Sequence, residues 1–309
     1  MSKLKGRDFL TVNDFSRDEL YEILHFALQL KAERKEGKSH PLLAGKTLGM
    51  IFRKASTRTR VSFEVGMYQL GGCALFLSDQ DLQIKRGEPV KDTARVLSRY
   101  LDGIMIRTYE HREVEELAEY AEIPVINGLT DLLHPCQAMA DLMTILEHKG
   151  KLKGLKLAFV GDGNNMAHSL LLACSKMEMH VAIASPAGYE PRTEIVKAAQ
   201  ANAKDSGTEV LITADIKEAV KDADILYTDV WASMGQEAER IARIRVFKPY
   251  QINREVMQLA AKDAIVMHCL PAHRGEEITD EIMEGPQSVI FDQAENRLHA
   301  QKAILAKVM

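Results

Sequence analysis

The sequence is poor in cysteine and in long apolar runs, and each shortage removes a class of protein. Four cysteines, Cys73, Cys136, Cys174 and Cys269, lie far apart with no CxxC pair. That spacing builds neither a zinc ribbon nor a disulfide framework, and it fits reduced thiols in a cytosolic protein. His134 with Cys136, and His268 with Cys269, do not complete a metal-ligand spacing, so no metal is expected. No apolar stretch approaches the ~18 residues that span a bilayer, and the opening segment MSKLKGRDFLTVNDF lacks the apolar core of a signal peptide. A membrane role is not expected. Cations are not in excess either: 40 Lys and Arg against 44 Asp and Glu give a formal charge of −4, which offers no general attraction to nucleic acid. Any basic site has to be local.

The 309 residues, 46% hydrophobic and 27% charged, suit a soluble globular chain of two domains. Short apolar runs (KTLGMIF, CALFLS, GIMIRT, PVING, then KLAFVGD, HVAIAS, EVLITA, ILYTDV, AIVMHCL) alternate with longer amphipathic segments. Such alternation reads as parallel strands joined by crossover helices, an α/β fold. Ser16 and Glu19 form a capping box at the start of the first helix. A boundary is expected near EHKGKLKGLK, where a lysine- and glycine-rich segment separates a helix from a fresh strand. At the far end, AENRLHAQKAILAKVM reads as a helix with Arg297 in its first turn, following a strand-like run, SVIFD.

What is present is charge gathered in one place. The stretch FRKASTRTRVSFEVG, Phe52 to Gly66, crowds Arg53, Lys54, Arg58 and Arg60 among hydroxyls and withholds its carboxylate, Glu64, until the cluster has passed. A solvated helix face would space its charges and mix in acids. Here Ser56, Thr57, Arg58, Thr59 and Arg60 sit between a strand run and a helical pattern, so free N–H groups at the helix start face a loop of hydroxyls and guanidinium forks. That combination binds an anion, and arginine's planar fork matches phosphate or carboxylate oxygens. No GxxxxGKS or GxxxxGKT occurs, so the expected phosphate belongs to a small molecule rather than to a nucleotide in a P-loop.

Other candidates close strand runs or open helices. His134 precedes Pro135, a residue favoured at the first helical position, and Gln137 falls in the same turn. A neutral imidazole and an amide donate hydrogen bonds to a carbonyl oxygen that is acquiring negative charge. Arg107 ends GIMIRT, at a strand end where open α/β sheets place ligand crevices, and is expected at the rim. In the second half, VGDGNNMAHS, TDVWASMGQE and MHCLPAHRGEE each begin where a strand run ends. Asp229 suits an ammonium group, Asn165 and the backbone around Met234 suit a carboxylate, and Cys269 suits a place beside a reacting amine. Taken singly, such a histidine is a cap, such an arginine a surface residue, and such a cysteine a small buried hydrophobe. Gly161 and Gly163 begin a dinucleotide fingerprint, but Met166 stands where its third glycine belongs.

Together STRTR, HPCQ, DVWASMG and HCLPAHRGEE make the chain resemble the aspartate and ornithine transcarbamoylase family over nearly its whole length, with the last two motifs pointing to the ornithine branch. The resemblance implies two Rossmann-like α/β domains with parallel sheets flanked by helices. Residues 1–148 would bind carbamoyl phosphate and 149–292 ornithine, with a C-terminal helix, 293–309, returning to the first domain. It implies transfer of the carbamoyl group to the δ-amine of L-ornithine, giving L-citrulline and phosphate in arginine biosynthesis, in the cytoplasm and without a cofactor. Ser56, Thr57, Arg58 and Thr59 match the segment that cradles the phosphate, Arg107, His134 and Gln137 the residues around the carbamoyl group, and Arg297 a further carbamoyl phosphate contact. Asn165, Asp229, Ser233 and Met234 match the residues that hold the amino acid's α-carboxylate and α-amino groups, and Cys269 and Leu270 the pair beside the reacting nitrogen. Catalysis is expected from Arg58, Arg107, His134 and Cys269. Gln83 matches a carbamoyl phosphate contact supplied to a neighbouring subunit, so a homotrimer or an assembly of trimers is implied. Arg53 and Ala55 depart from the branch, which often has glutamate and serine there, and Arg53 is expected to alter the local field. Two rival readings are an NAD-dependent dehydrogenase and a non-catalytic sensor of carbamoyl phosphate or an amino acid.

Overall fold

The alternation of apolar runs with amphipathic segments is realised as two parallel sheets flanked by helices, the α/β class expected. The computed structural model describes residues 4–232 and 239–309. The chain divides into two compact units, Met1–Met143 with Asn296–Met309, and Thr144–Glu295.

In the first unit, helix α1 (Arg17–Lys35) opens on the expected capping box: Ser16 Oγ accepts from the Glu19 N–H at 3.3 Å and Glu19 Oε2 from the Ser16 N–H at 2.8 Å. The chain then alternates β1 (Thr47–Phe52), α2 (Thr57–Gln69), β2 (Cys73–Ser78), α3 (Val90–Leu97), β3 (Gly103–Arg107), α4 (His111–Tyr120), β4 (Val125–Leu129) and α5 (Pro135–Lys149). The sheet order is β2-β1-β3-β4, every pair parallel. Ile51, Ile104, Ile106 and Val125 pack with Val114 and Leu117 of α4, which is why the central strands read as unbroken apolar runs. β2 is an edge strand, and it leaves Leu75 43% and Phe76 38% exposed.

The second unit continues with β5 (Lys156–Val160), α6 (Asn165–Lys176), β6 (His180–Ala184), α7 (Thr193–Ser206), β7 (Val210–Thr213), α8 (Ile216–Val220), β8 (Ile225–Thr228), α9 (Arg240–Phe247), α10 (Arg254–Met257), β9 (Ile265–His268), α11 (Asp280–Met283) and the start of α12 (Ile290–Val308). Its sheet order is β7-β6-β5-β8-β9, again all parallel. Strand order reverses between β1 and β3 in one sheet and between β5 and β8 in the other. Open parallel sheets bind ligands at the carboxyl ends of strands beside such reversals.

The carboxyl end differs from the expectation. SVIFD is not a strand: Ser288 makes a single bridge to Val266, and helix begins at Ile290, whose side chain is buried in the core of the second unit. α12 therefore starts earlier than the pattern suggested, and Arg297 lies two turns inside it rather than in its first turn. From Asn296 onward α12 belongs to the first unit, as the expected returning helix. Lys31 Nζ of α1 donates to Asn296 Oδ1 at 2.7 Å, and Lys302 Nζ to Gln69 Oε1 of α2 at 2.9 Å.

Candidate functional site

The carboxyl ends of β1 and β3 gather the first group of side chains. Ser56 caps α2, its Oγ accepting from the Thr59 N–H at 3.2 Å, and the first turn of the helix carries no acid to compete with an anion. Thr57 is exposed as the first helical residue and Arg58 is half-buried. Among the described residues no side-chain partner engages the Arg58 guanidinium, and its carbonyl accepts from Ser62 Oγ at 2.6 Å. Thr59 is 1% exposed, and its hydroxyl oxygen is the hub of the cluster. Ser56 Oγ donates to it at 3.1 Å, Arg297 Nη2 at 3.3 Å and Arg107 Nη1 at 3.5 Å. An oxygen with two lone pairs is thus approached by three donors, two of them cationic. Two guanidinium groups and a hydroxyl gather at a helix start without acids, an arrangement suited to an oxyanion.

Arg107 is 5% exposed rather than at the rim. The cause is a register shift: Ile106 pairs with Asn127 but Arg107 with Leu129, so Gly128 forms a bulge that re-aims the strand end. A Cβ at Gly128 would stand 2.5 Å from Met105 Sδ and 3.1 Å from the Ile106 carbonyl, so that close approach requires glycine.

Pro135 opens α5 with His134 just before it, as the sequence predicts. Arg297 Nη1 donates to Gln137 Oε1 at 2.6 Å and faces His134 Nε2 at 3.4 Å, while Gln137 Nε2 donates to Asp141 Oδ1 at 2.8 Å. Burial, then the Arg297 and Arg107 charges, hold His134 well below the ordinary imidazole range, so the ring is neutral. With a donor facing Nε2, the single ring proton sits on Nδ1. Gln301, which sequence reasoning missed, steadies Arg297: turned to satisfy both neighbours, its amide oxygen accepts from Arg297 Nη2 at 2.9 Å and Nε at 3.2 Å. Gln83 opens an exposed 3₁₀ turn, Gln83–Arg86, and joins none of these hydrogen bonds.

In the second unit the ends of β5, β8 and β9 meet. Cys269 Sγ donates to Asp229 Oδ1 at 3.1 Å, which joins two predicted residues. Asn164, which sequence reasoning did not single out, reaches Asp229: its Nδ2 donates to Asp229 Oδ2 at 2.9 Å while its Oδ1 caps α6 through the Met166 and Ala167 N–H groups. Asn165 is the next residue, the first of α6. An asparagine ahead of a helical run is a cap signal, and that rule was the clue available in the sequence. Leu270 holds φ +60°, a left-handed conformation that costs a leucine about 1–3 kcal/mol. Its N–H donates to His268 Nδ1 at 2.8 Å, and the other ring nitrogen, Nε2, then donates to Glu277 Oε1 at 3.0 Å. Ser233 and Met234 lie outside the described residues.

Arg243 of α9 was also unforeseen. It is 4% exposed, pairs with Asp162, donates to the Trp231 carbonyl, and lies over the rings of Tyr189 and Phe247. Burial pushes the Asp162 carboxyl up to about 6, against the pull of Arg243.

Among the described residues, two groups of metal-ligand type approach within 4.8 Å, Asp229 with His268 and Cys269, and His273 with Glu276 and Glu277. In the first, both nitrogens of His268 are engaged as above, so its ring has no lone pair for an ion. The dinucleotide reading fares no better. A Cβ on Gly163 would stand 2.2 Å from Pro191 N, so the bare face of that glycine is taken by the chain's own backbone rather than offered to a pyrophosphate.

Comparison with known proteins divides the chain near the same point, with the second match running on through the returning helix. Residues 7–147 match the family model described as aspartate/ornithine carbamoyltransferase, carbamoyl-P binding domain, and residues 153–308 match its Asp/Orn binding domain. A protein of Anoxybacillus flavithermus named ornithine carbamoyltransferase is 61% identical over 307 residues, 99% of this chain and 98% of the relative. One of Pyrococcus furiosus, named ornithine carbamoyltransferase, anabolic, is 58% identical over 99% of this chain and 97% of its own length. A solved structure of ornithine carbamoyltransferase from Pyrococcus furiosus superposes with a TM-score of 0.97 at 58% identity, covering 100% of this chain and 98% of that one. The chain belongs to the aspartate/ornithine carbamoyltransferase family.

Proposed function

We propose that the protein transfers the carbamoyl group of carbamoyl phosphate to the δ-amine of L-ornithine, giving L-citrulline and phosphate. The observation that carries this reading is the convergence of Ser56, Arg107 and Arg297 on the Thr59 hydroxyl at a helix start without acids. Full-length identity to relatives named ornithine carbamoyltransferase supports the choice of reaction.

In this reading the first unit binds carbamoyl phosphate and the second ornithine. Ser56, Thr57 and Arg58 receive the phosphate. Thr59, Arg107, His134, Gln137 and Arg297 surround the carbamoyl group, where Arg107 and His134 Nδ1–H offset the charge that develops on the carbonyl oxygen. Removing one such donor costs a reaction about 3 kcal/mol of barrier. The neutral δ-nitrogen attacks the carbonyl carbon, the tetrahedral intermediate expels phosphate by breaking the C–O bond, and the nitrogen gives up its proton. Asp229 takes the ornithine α-ammonium, Asn165 with Ser233 and Met234 the α-carboxylate, and Cys269 and Leu270 lie beside the reacting nitrogen. A carboxylate at Asp229 favours an acceptor bearing amines over aspartate. No cofactor enters the scheme.

Exposed Leu75 and Phe76 on edge strand β2 support a homotrimer or an assembly of trimers, since an uncovered apolar edge invites aggregation. Gln83 would then serve a neighbouring subunit's site. Four free thiols support a cytoplasmic setting, and no described helix is long and apolar enough to cross a membrane. The biosynthetic direction accords with the relative named anabolic.

Purified protein supplied with carbamoyl phosphate and L-ornithine should form citrulline, and should do so faster than with aspartate, putrescine or N-acetylornithine. Absence of citrulline would sink the reading.

A further inference from the structure

The two cations that follow β1 do not join the donors around Thr59. Each is bound to a carboxylate on another segment of the chain. Lys54 Nζ meets Asp131 Oδ1 at 2.5 Å and lies 4.7 Å from the Tyr109 ring centroid, while Arg53 Nη1 pairs with Glu113 Oε1 on α4. Arg53 is one of the two residues, with Ala55, at which this chain departs from the ornithine branch, and its charge is matched by Glu113 rather than left to act on the site.

Glu113 does more than balance Arg53. Its side chain is 8% exposed, and its other oxygen, Oε2, accepts from the hydroxyl of Thr108, the residue after Arg107. Arg107 is gripped from the same side: the Arg53 N–H donates to the Arg107 carbonyl at 2.9 Å, and the Thr108 N–H donates to the Leu129 carbonyl at 3.0 Å, just past the Gly128 bulge. One carboxylate therefore ties the segment after β1 to the segment after β3, and the strand end it ties is the one that delivers the Arg107 guanidinium to Thr59.

We propose that Glu113 is a positioning residue: by bridging Arg53 and Thr108 it fixes the backbone at Arg107 and so the direction of the Arg107 guanidinium in the anion cluster. The proposal rests on the reading of that cluster as the carbamoyl phosphate site. A bulged strand end has given up ladder hydrogen bonds and needs another restraint, which the bridge supplies. A misplacement of about 1 Å at a reacting centre can cost ~10²-fold in rate.

The test compares Glu113→Ala with Glu113→Gln in the full-length protein. The alanine variant loses the bridge. Its kcat should fall by about 10- to 100-fold, inorganic phosphate should bind more weakly by calorimetry, and the KM for ornithine should stay within twofold. Glutamine keeps the shape and the capacity to bond both partners, so it should recover most of kcat. If the alanine variant fails to fold, Thr108→Val takes its place, since it cuts only the Thr108 tether and should lower kcat in the same way. A folded Glu113→Ala or Thr108→Val protein with wild-type kcat and wild-type phosphate affinity would overturn the proposal. Failure of the functional reading shows separately, as a wild-type protein that makes no citrulline.

Discussion

Arg297 Nη1 and Gln137 Oε1, separated by 160 residues, are joined by a buried hydrogen bond of 2.6 Å. The bond connects the returning helix α12 to the first turn of α5, and through the same guanidinium to Thr59 at the start of α2. Replacing Arg297 with methionine keeps the apolar stem but leaves the Gln137 and Gln301 oxygens without their cation. The expected result is a kcat/KM for carbamoyl phosphate lower by at least ~10²-fold, with ornithine KM little changed. Steady-state kinetics with each substrate varied in turn checks this.

Asn164 separates two roles within one side chain, capping α6 and holding Asp229. Asn164→Ser preserves a capping oxygen and loses the amide that reaches Asp229. It should raise ornithine KM about tenfold, as expected for one lost hydrogen bond to a charged group, with little change in melting temperature. Asn164→Ala should show the same kinetic defect and lose roughly 1 kcal/mol of stability as well. Kinetics paired with thermal melts distinguish the two variants.

The buried neutrality of His134 has a signed consequence for pH. Its folded-state pKa is depressed, so the unfolded chain takes up a proton first as pH falls below the ordinary imidazole value of about 6.5. Stability therefore drops on acidification from that point down to the folded pKa, by up to ~1.4 kcal/mol per pH unit for one proton. His40 and His111 are shifted in the same direction, and Asp162, raised to about 6, acts oppositely by binding its proton more tightly when folded. Urea denaturation of wild type and His134→Asn between pH 5 and 8 isolates the His134 share. The variant should show a shallower acid-side loss, and equal slopes would refute the assignment.

Arg243 and Asp162 form a nearly dry ion pair beside the β5 end. Arg243→Ala leaves the Asp162 carboxyl buried without its cation and should cost about 3–5 kcal/mol in chemical denaturation. The double variant Arg243→Met with Asp162→Asn should be more stable than Arg243→Ala, because no uncompensated charge remains.

The sequence by itself determined the class of fold and most of the chemistry. Apolar runs such as GIMIRT and KLAFVGD, buried on both faces, announce parallel strands; a basic, acid-free helix start announces an anion site; and Ser16 with Glu19 announces a cap. These are local properties, written in residues a few positions apart. Hydrogen bonds and packing between distant segments have no such local signature, and the tertiary structure alone decided them. The Gly128 bulge turned Arg107 inward from its expected place at the rim. The early start of α12 put Arg297 two turns into the helix, and Asn164, a residue with only a capping signal in the sequence, came to hold Asp229. Arg53, a stray cation in the sequence, became one end of a bridge through Glu113. A side chain's type can be read from the chain, but its partner is set by which strand ends the sheet order brings together.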